Sequence, residues 1–269
     1  MAVQTLQTAA TGMKAMDFKL NVIANNLANV ETVGFKRSRP EFADVLYQTL
    51  EEPGLRNGLD QALPTGKQVG MGVQVAGTQL DFQQGSPLIT KGQFDLLING
   101  DGFFQAQAFV DGSETTTYTR AGNFTQNADG DLVLDNGIGA RLEPTITIPQ
   151  DAIEVRISTT GLVSARVSGT TTFQDVGQIE LARFINPAGL KQIGDNLFRD
   201  TPASGDPITG NPKQDAFGSI EQGQLELSNV EPVTELVQLI RTQRSFELNS
   251  QSLQSADQTL QTLVNMARF

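Results

Sequence analysis

The side chains that could support catalysis or metal binding in this chain are almost all carboxylates. The sequence of 269 residues carries 30 acidic and 19 basic side chains, and it contains no histidine and no cysteine. These absences remove the usual general base, thiol nucleophiles, disulfides and zinc clusters. Two kinds of chemistry remain to be weighed: glycan hydrolysis by paired carboxylates and calcium binding by acidic loops.

Two Asp-Gly segments, "GDGFF" at 100–104 and "NADGDL" at 127–132, have the composition of calcium loops. Asp-Gly pairs are also the standard residues of tight hairpin turns. "NADGDL" lacks the remaining ligands and the distal glutamate of an EF-hand loop. We therefore predict hairpins at both positions, no metal or cofactor, and no catalytic residue.

The charge of the chain limits its partners. A net charge of −11 makes non-specific binding to nucleic acid or anionic lipid unfavourable. One basic cluster, Lys36, Arg37 and Arg39, is predicted to be a solvent-exposed junction. No apolar run approaches the roughly 20 residues of a membrane-spanning helix. We therefore expect a protein that is not embedded in a membrane. The first residues also lack the pattern of a cleaved signal peptide, so we expect any export to proceed without one.

Both ends of the chain have the periodicity of long helices that pair with each other. An a/d repeat runs through the first 30 residues, and a weaker, partly polar repeat follows Pro232. Such a seam needs a partner helix, and we predict that the two helices pair as an antiparallel coiled coil. The predicted seam and assembly residues are Leu6, Met13, Leu20, Ile23, Leu27, Val30, Leu236, Leu239, Phe246, Leu253, Leu260 and Leu263.

The middle of the chain has a different texture, with Gly-centred turns between short β-branched runs such as "TITIP" and "EVRIS". These are hairpin signals, and they predict a mainly-β domain. The fold class is therefore α+β. The predicted domains are a helical domain of residues 1–35 plus 228–269, an extended connecting arm at 36–75, and a β-rich domain at 76–227.

Asparagines crowd the place where the first helix should end. If the two helices run antiparallel, this place meets the start of the last helix, and asparagine side chains there can bond to unpaired backbone groups at both helix ends. Gly34 is expected in the left-handed conformation that closes a helix. The predicted junction residues are Asn25, Asn26, Asn29, Gly34, Phe35, Ser228 and Asn229.

These two ends carry a family resemblance. "ANNLANVETVGFKRSRPEF" resembles the N-terminal signature of the axial proteins of the bacterial flagellum, the rod and hook subunits, and "GQLELSNVEPVTELVQLIRTQRSFELNSQSLQSADQTL" resembles their C-terminal signature. The centre is consistent, with "LLINGDGFFQ" and "YTRAGNFTQNADGDLV". Within the family, "FADVLYQTLEEPG" followed by "LPTGKQVGMGVQVAGTQLDFQQG" is similar to subunits of the distal rod.

The resemblance implies a structural subunit that polymerises into a hollow helical drive shaft and passes torque from the motor to the hook. Its implied partners are other copies of itself, other rod subunits, the hook protein, surrounding ring proteins and the type III export apparatus. Its implied location is the basal body, where the rod crosses the periplasm. The faces of the helices outside the seam are rich in Gln, Thr, Asn and Ala, so we expect polar packing between neighbours.

Two further assignments concern the segment after the first helix. The resemblance suggests that Phe42 and Leu46 form an export recognition element, with a short amphipathic packing helix as the alternative. We also predict that Leu63, Pro64, Gly66, Val69 and Met71 anchor a rod-specific arm that reaches neighbouring subunits and stiffens the tube. The alternative is a passive linker.

Other functional classes stay open at this stage. The chain could be another axial subunit of the flagellum, from the proximal rod or the hook. A β-rich adhesin or carbohydrate-binding protein would explain the central domain but not the matched helical ends.

Overall fold

The computed structural model describes residues 2–54, 65–110 and 112–266. The described chain forms two compact units. Unit 1 contains residues 1–27, 38–79 and 232–269, and unit 2 contains residues 28–37 and 80–231. An N-terminal helix, a mainly-β centre and a C-terminal helix confirm the α+β architecture.

Unit 1 contains both helices, α1 (Ala2–Ala28) and α2 (Pro232–Met266). α2 begins at a proline, which suits the first turn because its missing N–H has no helical partner there. From that proline onward the helix contains no glycine and no further proline, so nothing in its sequence interrupts it. No helix within the described ranges is both long and apolar enough to span a membrane.

The remainder of unit 1 is a ribbon of paired strands, β1 (Ser38–Asp44), β2 (Tyr47–Glu51), β3 (Lys67–Gly70) and β4 (Val73–Leu80). β1 pairs with β4, and β2 pairs antiparallel with β3, with Gln48 opposite Val69. Residues 38–44 are therefore a strand, and the alternative of a short packing helix at Phe42 is wrong. Tertiary pairing decides the conformation here, because a short amphipathic segment has no strong helical preference of its own.

The ribbon packs against α1 through its turn. Val73 N donates to Thr11 Oγ1 at 3.4 Å. Gly72 has a φ of +116°, and a Cβ at this position would lie 2.2 Å from Thr11 Oγ1. Only glycine combines that backbone conformation with such a close approach to a helix.

Unit 2 is built from short strands and one 3-10 turn at Pro187–Gly189. The strands are β5 (Pro87–Ile89), β6 (Leu96–Asn99), β7 (Phe103–Val110), β8 (Ser113–Thr119), β9 (Phe124–Gln126), β10 (Leu132–Leu134), β11 (Arg141–Glu143), β12 (Ala152–Ile157), β13 (Leu162–Val167), β14 (Gln174–Gln178), β15 (Leu181–Arg183), β16 (Lys191–Gly194), β17 (Leu197–Arg199), β18 (Ile208–Gly210), β19 (Ser219–Gln222) and β20 (Gln224–Glu226).

The largest sheet of unit 2 runs in the order β16-β17-β8-β7-β11-β10-β9, with β15 pairing both β7 and β18. β12, β13 and β14 form a separate sheet, and β19 pairs with β6 while β20 pairs with β5. The last two strands of the unit, β19 and β20, thus pair with strands near its start. This pairing brings the beginning and the end of the unit together.

The core of unit 2 lies on both faces of the central sheet. Phe103 and Phe104 are neighbours on β7 and point to opposite faces. Phe104 packs into the main aliphatic core with residues such as Leu132, Leu142 and Ile179. On the opposite face lies the aromatic cluster, whose members are Phe103, Tyr118, Ala182, Phe184, Leu190 and Phe198.

The hairpin prediction is confirmed for "NADGDL" and is wrong for "GDGFF". The strands on either side of "GDGFF" do not pair with each other, because β6 pairs with β19 from the end of the unit and β7 pairs with β8, β11 and β15. In "NADGDL", Asn127 Oδ1 accepts from the backbone N–H groups of Asp129 and Asp131 at 2.9 and 2.8 Å, and β9 pairs antiparallel with β10 on either side. The Asp131 carboxylate accepts from Thr147 Oγ1 at 2.6 Å. The polar groups of this loop therefore stabilise the hairpin itself. Within residues 2–54, 65–110 and 112–266, no cluster of His, Cys, Asp or Glu has the arrangement of a metal site.

Candidate functional site: a buried ionic junction

The segments that lead out of α1 and into α2 lie side by side in unit 2. Gly34 N donates to Glu226 O at 2.8 Å, and Asn229 N donates to Phe35 O at 3.4 Å. A third segment joins them, because Asp81 N donates to Arg37 O at 2.9 Å. We call this region the junction; it comprises residues 33–37, 81–85, Arg120 and 226–229.

Asn229 links all three segments of the junction with one side chain. Its Oδ1 accepts from Arg37 N at 2.8 Å. Its Nδ2 donates to Asp81 O at 2.8 Å and to Gln83 O at 3.1 Å. A primary amide supplies one acceptor and two donors, and here all of them are used.

The conformation of Gly34 allows the first segment to approach the central sheet. Its φ is +70°, in the left-handed region predicted from the sequence. A Cβ at this position would lie 2.6 Å from Ala121 N. Both the backbone angle and the lack of space therefore favour glycine.

An ion cluster lies at the centre of the junction. Lys36 is 0% exposed and pairs with the Glu226 carboxylate, which is equally buried. Lys36 Nζ also donates to Gln83 O at 2.7 Å, and Glu226 Oε1 accepts from Gly85 N at 2.9 Å. On the other side of the carboxylate, Arg120 Nη1 lies 3.5 Å from Glu226 Oε2.

Burial and the neighbouring negative charge shift the pKa values of Lys36 and Arg120 in opposite directions. Burial lowers the pKa of Lys36, and the Glu226 charge and hydrogen bond work against that shift. Burial also lowers the pKa of Arg120, again opposed by Glu226 and by Asp101. Two buried cations thus depend on a single buried carboxylate. Removing the carboxylate from such a cluster destabilises the protein strongly, because uncompensated charges stay in the interior.

The ion cluster corrects one expectation and shows what sequence reasoning missed. Lys36 was expected in a solvent-exposed basic cluster, whereas it is buried because a distant carboxylate compensates it. Arg39 does lie at the surface, beside Glu41. Glu226 and Arg120 were not predicted at all. Glu226 alternates with Leu225 and Leu227 in the sequence, a pattern that usually places the charged residue on the solvent face, so no signal in the sequence indicated its burial.

Two of the predicted asparagines, Asn26 and Asn229, bond to backbone groups outside the helices. Asn26 is buried, and its amide bonds to the backbone N and O of Ser38 at 3.0 and 2.9 Å, which fixes the start of β1 beside α1. Asn29 Oδ1 accepts from Thr32 Oγ1 at 3.2 Å. Asn25 is exposed. Ser228 Oγ accepts from Val230 N at 3.3 Å, just before α2.

The predicted seam residues occupy different degrees of burial. In α1, Ile23 is buried, and Leu6, Met13, Leu20, Leu27 and the following Val30 are half-buried. In α2, the half-buried members are Leu239, Phe246, Leu253 and Leu260, whereas Leu236 is exposed. The Leu263 side chain lies outside the described residues. The two helices lie close together at Gly12, where an added Cβ would be 3.2 Å from Asn249 Nδ2.

The least exposed positions of α2 follow alternating steps of four and three residues, the spacing of a coiled-coil seam. One column of this stripe is apolar and contains the four half-buried residues named above. The other column is small or polar and consists of Glu235, Thr242, Asn249 and Ala256. This polar column explains why the repeat of α2 is weak in the sequence.

α2 also carries an apolar face that is exposed. Its members near the start of the helix are Val233, Leu236, Val237 and Ile240. Their spacing of three and four residues places them on one side of the helix. Faces rich in Gln, Thr, Asn and Ala were expected outside the seam, and this part of α2 differs because its exposed side chains are aliphatic.

The arm and export residues that the structure describes lie on or beside the ribbon. Val69 is exposed, Met71 and Gly66 are half-buried, and Leu63 and Pro64 lie outside the described residues. Phe42 is half-buried in β1, whereas Leu46 is 83% exposed. Leu50 adds another exposed aliphatic side chain on β2.

Comparison with known proteins identifies relatives along the whole chain. Residues 6–36 match a family described as "Flagella basal body rod protein". Residues 97–165 match "Flagellar hook protein FlgE/F/G D1 domain", and residues 221–266 match "Flagellar basal body rod FlgEFG protein C-terminal". The first match ends on Lys36 and the last includes Glu226, so the two matched ends contain the two halves of the buried ion pair.

Individual relatives agree with these matches. The chain is 45% identical to "Flagellar basal-body rod protein FlgG" of Agrobacterium fabrum over 95% of this chain and 96% of that protein. It is 38% identical to the protein of the same name from Bacillus subtilis, over 99% of this chain and 100% of the other. "Flagellar basal-body rod protein FlgF" of Caulobacter vibrioides is 36% identical over 85% of this chain and 83% of that protein.

Proposed function

Since the chain belongs to the FlgG family of flagellar basal-body rod proteins, we propose that it is a structural subunit of the distal rod. In this role it polymerises into a hollow helical drive shaft that transmits torque from the motor to the hook. The observation that carries this function is the junction. It fastens together the chain segments that lead to both terminal helices, and both family signatures converge on it.

The junction suits a subunit under mechanical load. A force on either helix reaches unit 2 through residues 33–37 or 226–229, which share backbone hydrogen bonds, the Asn229 amide and a buried ion pair. Because the two connecting segments bond to each other, displacing one of them requires breaking bonds that also hold the other. A single flexible linker would instead extend under the same force, because its backbone bonds rotate freely.

The helices are proposed as the polymerisation element. They pair within each subunit along the predicted coiled-coil seam, and their outer faces contact neighbouring copies. The exposed apolar face of α2 supplies one such contact. A contact between two different faces that does not close into a ring produces an open helical filament.

The ribbon is proposed as the rod-specific arm. Leu46, Leu50 and Val69 are exposed aliphatic side chains on or beside its paired strands. A two-stranded ribbon is stiffer than a single extended chain, and its apolar side chains would dock on neighbouring subunits and resist bending of the tube. We further propose that Phe42 and Leu46 serve as the export recognition element before the ribbon forms.

The proposed partners and location follow from family membership. The partners are other copies of this chain, other rod subunits, the hook protein, the surrounding ring proteins and the type III export apparatus. The location is the basal body, in the part of the rod that crosses the periplasm. The relatives are structural rod proteins, and we propose a structural and not an enzymatic role for this chain.

Assembly of the purified chain tests the proposed function. The full chain is concentrated and examined by negative-stain electron microscopy beside a chain shortened by residues 1–30 and 233–269. Straight hollow tubes from the full chain alone support a rod subunit polymerised by its helices. Tubes from both chains would transfer polymerisation to unit 2 and the ribbon. If neither chain forms tubes, even when seeded with isolated basal bodies, the chain is not a rod subunit.

A further inference from the structure

We propose that a cavity in unit 2 is a docking site for a carboxylate side chain presented by a second copy of this chain. The cavity has a volume of about 430 Å³, which lies in the usual range of sites that hold organic groups. Its walls include Phe82, Phe103, Arg120, Arg183, Phe184 and Ile185. This inference rests on the proposed function, because it assumes that copies of the chain assemble.

Arg120 is the residue that indicates a ligand, because it is buried and one of its donors is unsatisfied in the part of the chain that the structure describes. It is 4% exposed, and its Nε has no hydrogen-bond acceptor among the described residues. Its Nη1 reaches Glu226 Oε2 and Ile98 O only at 3.5 Å, the outer limit of a hydrogen bond. A buried donor without an acceptor destabilises the protein. An incoming carboxylate would supply the missing acceptor in the geometry that a guanidinium binds best.

The charge around the cavity favours an anion. Among the described residues that line the cavity there are two cations, Arg120 and Arg183, and one carboxylate, Asp101, so the walls carry a net positive charge. Arg183 is held over the ring of Phe217, with 5.9 Å between its Cζ and the ring centroid. Both guanidiniums are therefore held in place before a ligand arrives, which lowers the entropic cost of binding.

The remaining walls favour a side chain with an apolar neighbour. The rings of Phe82 and Phe103 meet edge to face at 5.4 Å, and Phe103 meets Phe184 at 5.8 Å. Arg120 lies over the Phe103 ring at 5.3 Å. Ile185 is exposed at the cavity. Arginine and aromatic residues surrounded by aliphatic contacts are typical of the energetic centres of protein interfaces.

A second copy of the chain fits this site by charge and by abundance. The chain carries a net charge of −11, so its surface presents more carboxylates than cations to any neighbour. In a homopolymer every subunit meets such a surface at high local concentration. The site therefore selects an aspartate or glutamate flanked by an aliphatic residue.

The first experiment measures self-association of the full chain by sedimentation equilibrium. Arg183→Glu should raise the dissociation constant at least tenfold, because it replaces a wall cation with an anion. Lys191→Glu, an exposed charge reversal outside the cavity walls, is the matched control and should change the constant less than twofold. Ile185→Asp and its control Ile153→Asp repeat the comparison without altering a cation. Equal effects within either pair would overturn the proposal.

The second experiment locates the contact and identifies its chemistry. The ¹⁵N-labelled full chain is titrated with unlabelled full chain, and separately with propionate as a mimic of a glutamate side chain. Both titrations should shift the amide resonances of Gly102, Phe103 and Phe184, and Arg183→Glu should abolish both shifts. Shifts with propionate alone would identify a site for free carboxylates and overturn docking of a second copy, as would shifts with neither.

These outcomes are separable from failure of the proposed function. If the full chain forms tubes and the cavity variants associate normally, the cavity inference fails while the rod function stands. If no tubes form under any condition, the rod function fails independently of the cavity.

Discussion

At the level of single residues, the junction places one carboxylate between two buried cations, and this arrangement determines how substitutions act. Lys36 and Arg120 both depend on Glu226, and each also uses a backbone carbonyl. Removing the carboxylate leaves two buried positive charges, whereas removing one cation leaves a neutral pair. Removing the carboxylate should therefore lower the free energy of unfolding more than removing one cation does.

Glu226→Gln should destabilise the full chain by about 3–5 kcal/mol, the usual effect of removing one partner from a buried ion pair. Urea unfolding followed by circular dichroism measures this difference. Adding Lys36→Met should recover part of the loss, because the double variant buries one uncompensated charge fewer. Glu51→Gln, which removes an exposed partner of Lys67, is the control. Strict additivity of the two junction substitutions would contradict a coupled ion pair.

Gly34→Ala separates the two reasons for glycine at the junction. An alanine in the left-handed region costs about 1–2 kcal/mol from backbone conformation alone. Gly139 has a φ of +66°, close to the +70° of Gly34, but a Cβ added there would meet no atom within 4 Å. Gly139→Ala should show the backbone effect alone. Gly34→Ala should cost clearly more because Ala121 N occupies the space, and equal losses in thermal unfolding would reject that close approach.

Tyr118 should make stability depend on pH above 10. Burial, followed by the charges of Asp200 and Glu143, raises the pKa of Tyr118 to about 12. The unfolded phenol loses its proton near pH 10, whereas the folded phenol keeps it. The contribution of Tyr118 to the free energy of unfolding is therefore complete below pH 10. It is lost as the pH rises to about 12, by roughly 1.4 kcal/mol per pH unit.

The Tyr118→Phe variant isolates this effect. Urea unfolding at a series of pH values should show a steeper decline in the wild type than in the variant over this window. The chain has two tyrosines, so the variant also simplifies the ultraviolet titration to Tyr47 alone. Parallel pH profiles of the two proteins would show that Tyr118 titrates normally.

At the level of elements, α2 presents two different faces. One has seam spacing and combines an apolar column with a polar one; the other exposes Val233, Leu236, Val237 and Ile240. An exposed apolar stripe on a helix is unfavourable in a lone subunit and is typical of an interaction surface. The second face is therefore where assembly and stability should respond differently to substitution.

Ile240→Glu should block tube formation while leaving the unfolding free energy within about 0.5 kcal/mol, because the side chain is already exposed. The mass of sedimentable polymer should fall at least tenfold. Phe109→Glu makes a similar change on an exposed side chain of β7 and is the control. If Ile240→Glu assembles as well as the control, the apolar face of α2 is not an assembly contact.

The elements also show how far the sequence determines the fold. The helices and the hairpin at residues 127–132 were predictable, because they depend on residues three, four or two positions apart. The pairing of residues 38–51 with residues 67–80 was not predictable, because the alternation of apolar and polar residues in these segments is too weak to indicate strands. The burial of Lys36 was also unpredictable, because its compensating carboxylate is 190 positions away.

At the level of the whole molecule, the ribbon should determine the stiffness of the polymer. Leu46 and Val69 are exposed aliphatic side chains on it. The double variant Leu46→Ser with Val69→Ser should still form tubes, but these should be curved where the wild-type tubes are straight. Gln48→Ser with Gln68→Ser alters the same ribbon without removing apolar side chains and serves as the control. Equal curvature, measured on electron micrographs, would assign stiffness to other contacts.

The separation of Lys36 and Glu226 along the chain also sets an order of events. Ribosomal synthesis delivers the N-terminus first, so Lys36 emerges long before its carboxylate. Closing a loop of this length is slow compared with local pairing. The ion pair therefore forms late, and a chain cut short before Glu226 can never form it. A chain truncated there would bury Lys36 without its carboxylate, so we expect it to be less stable than the full chain.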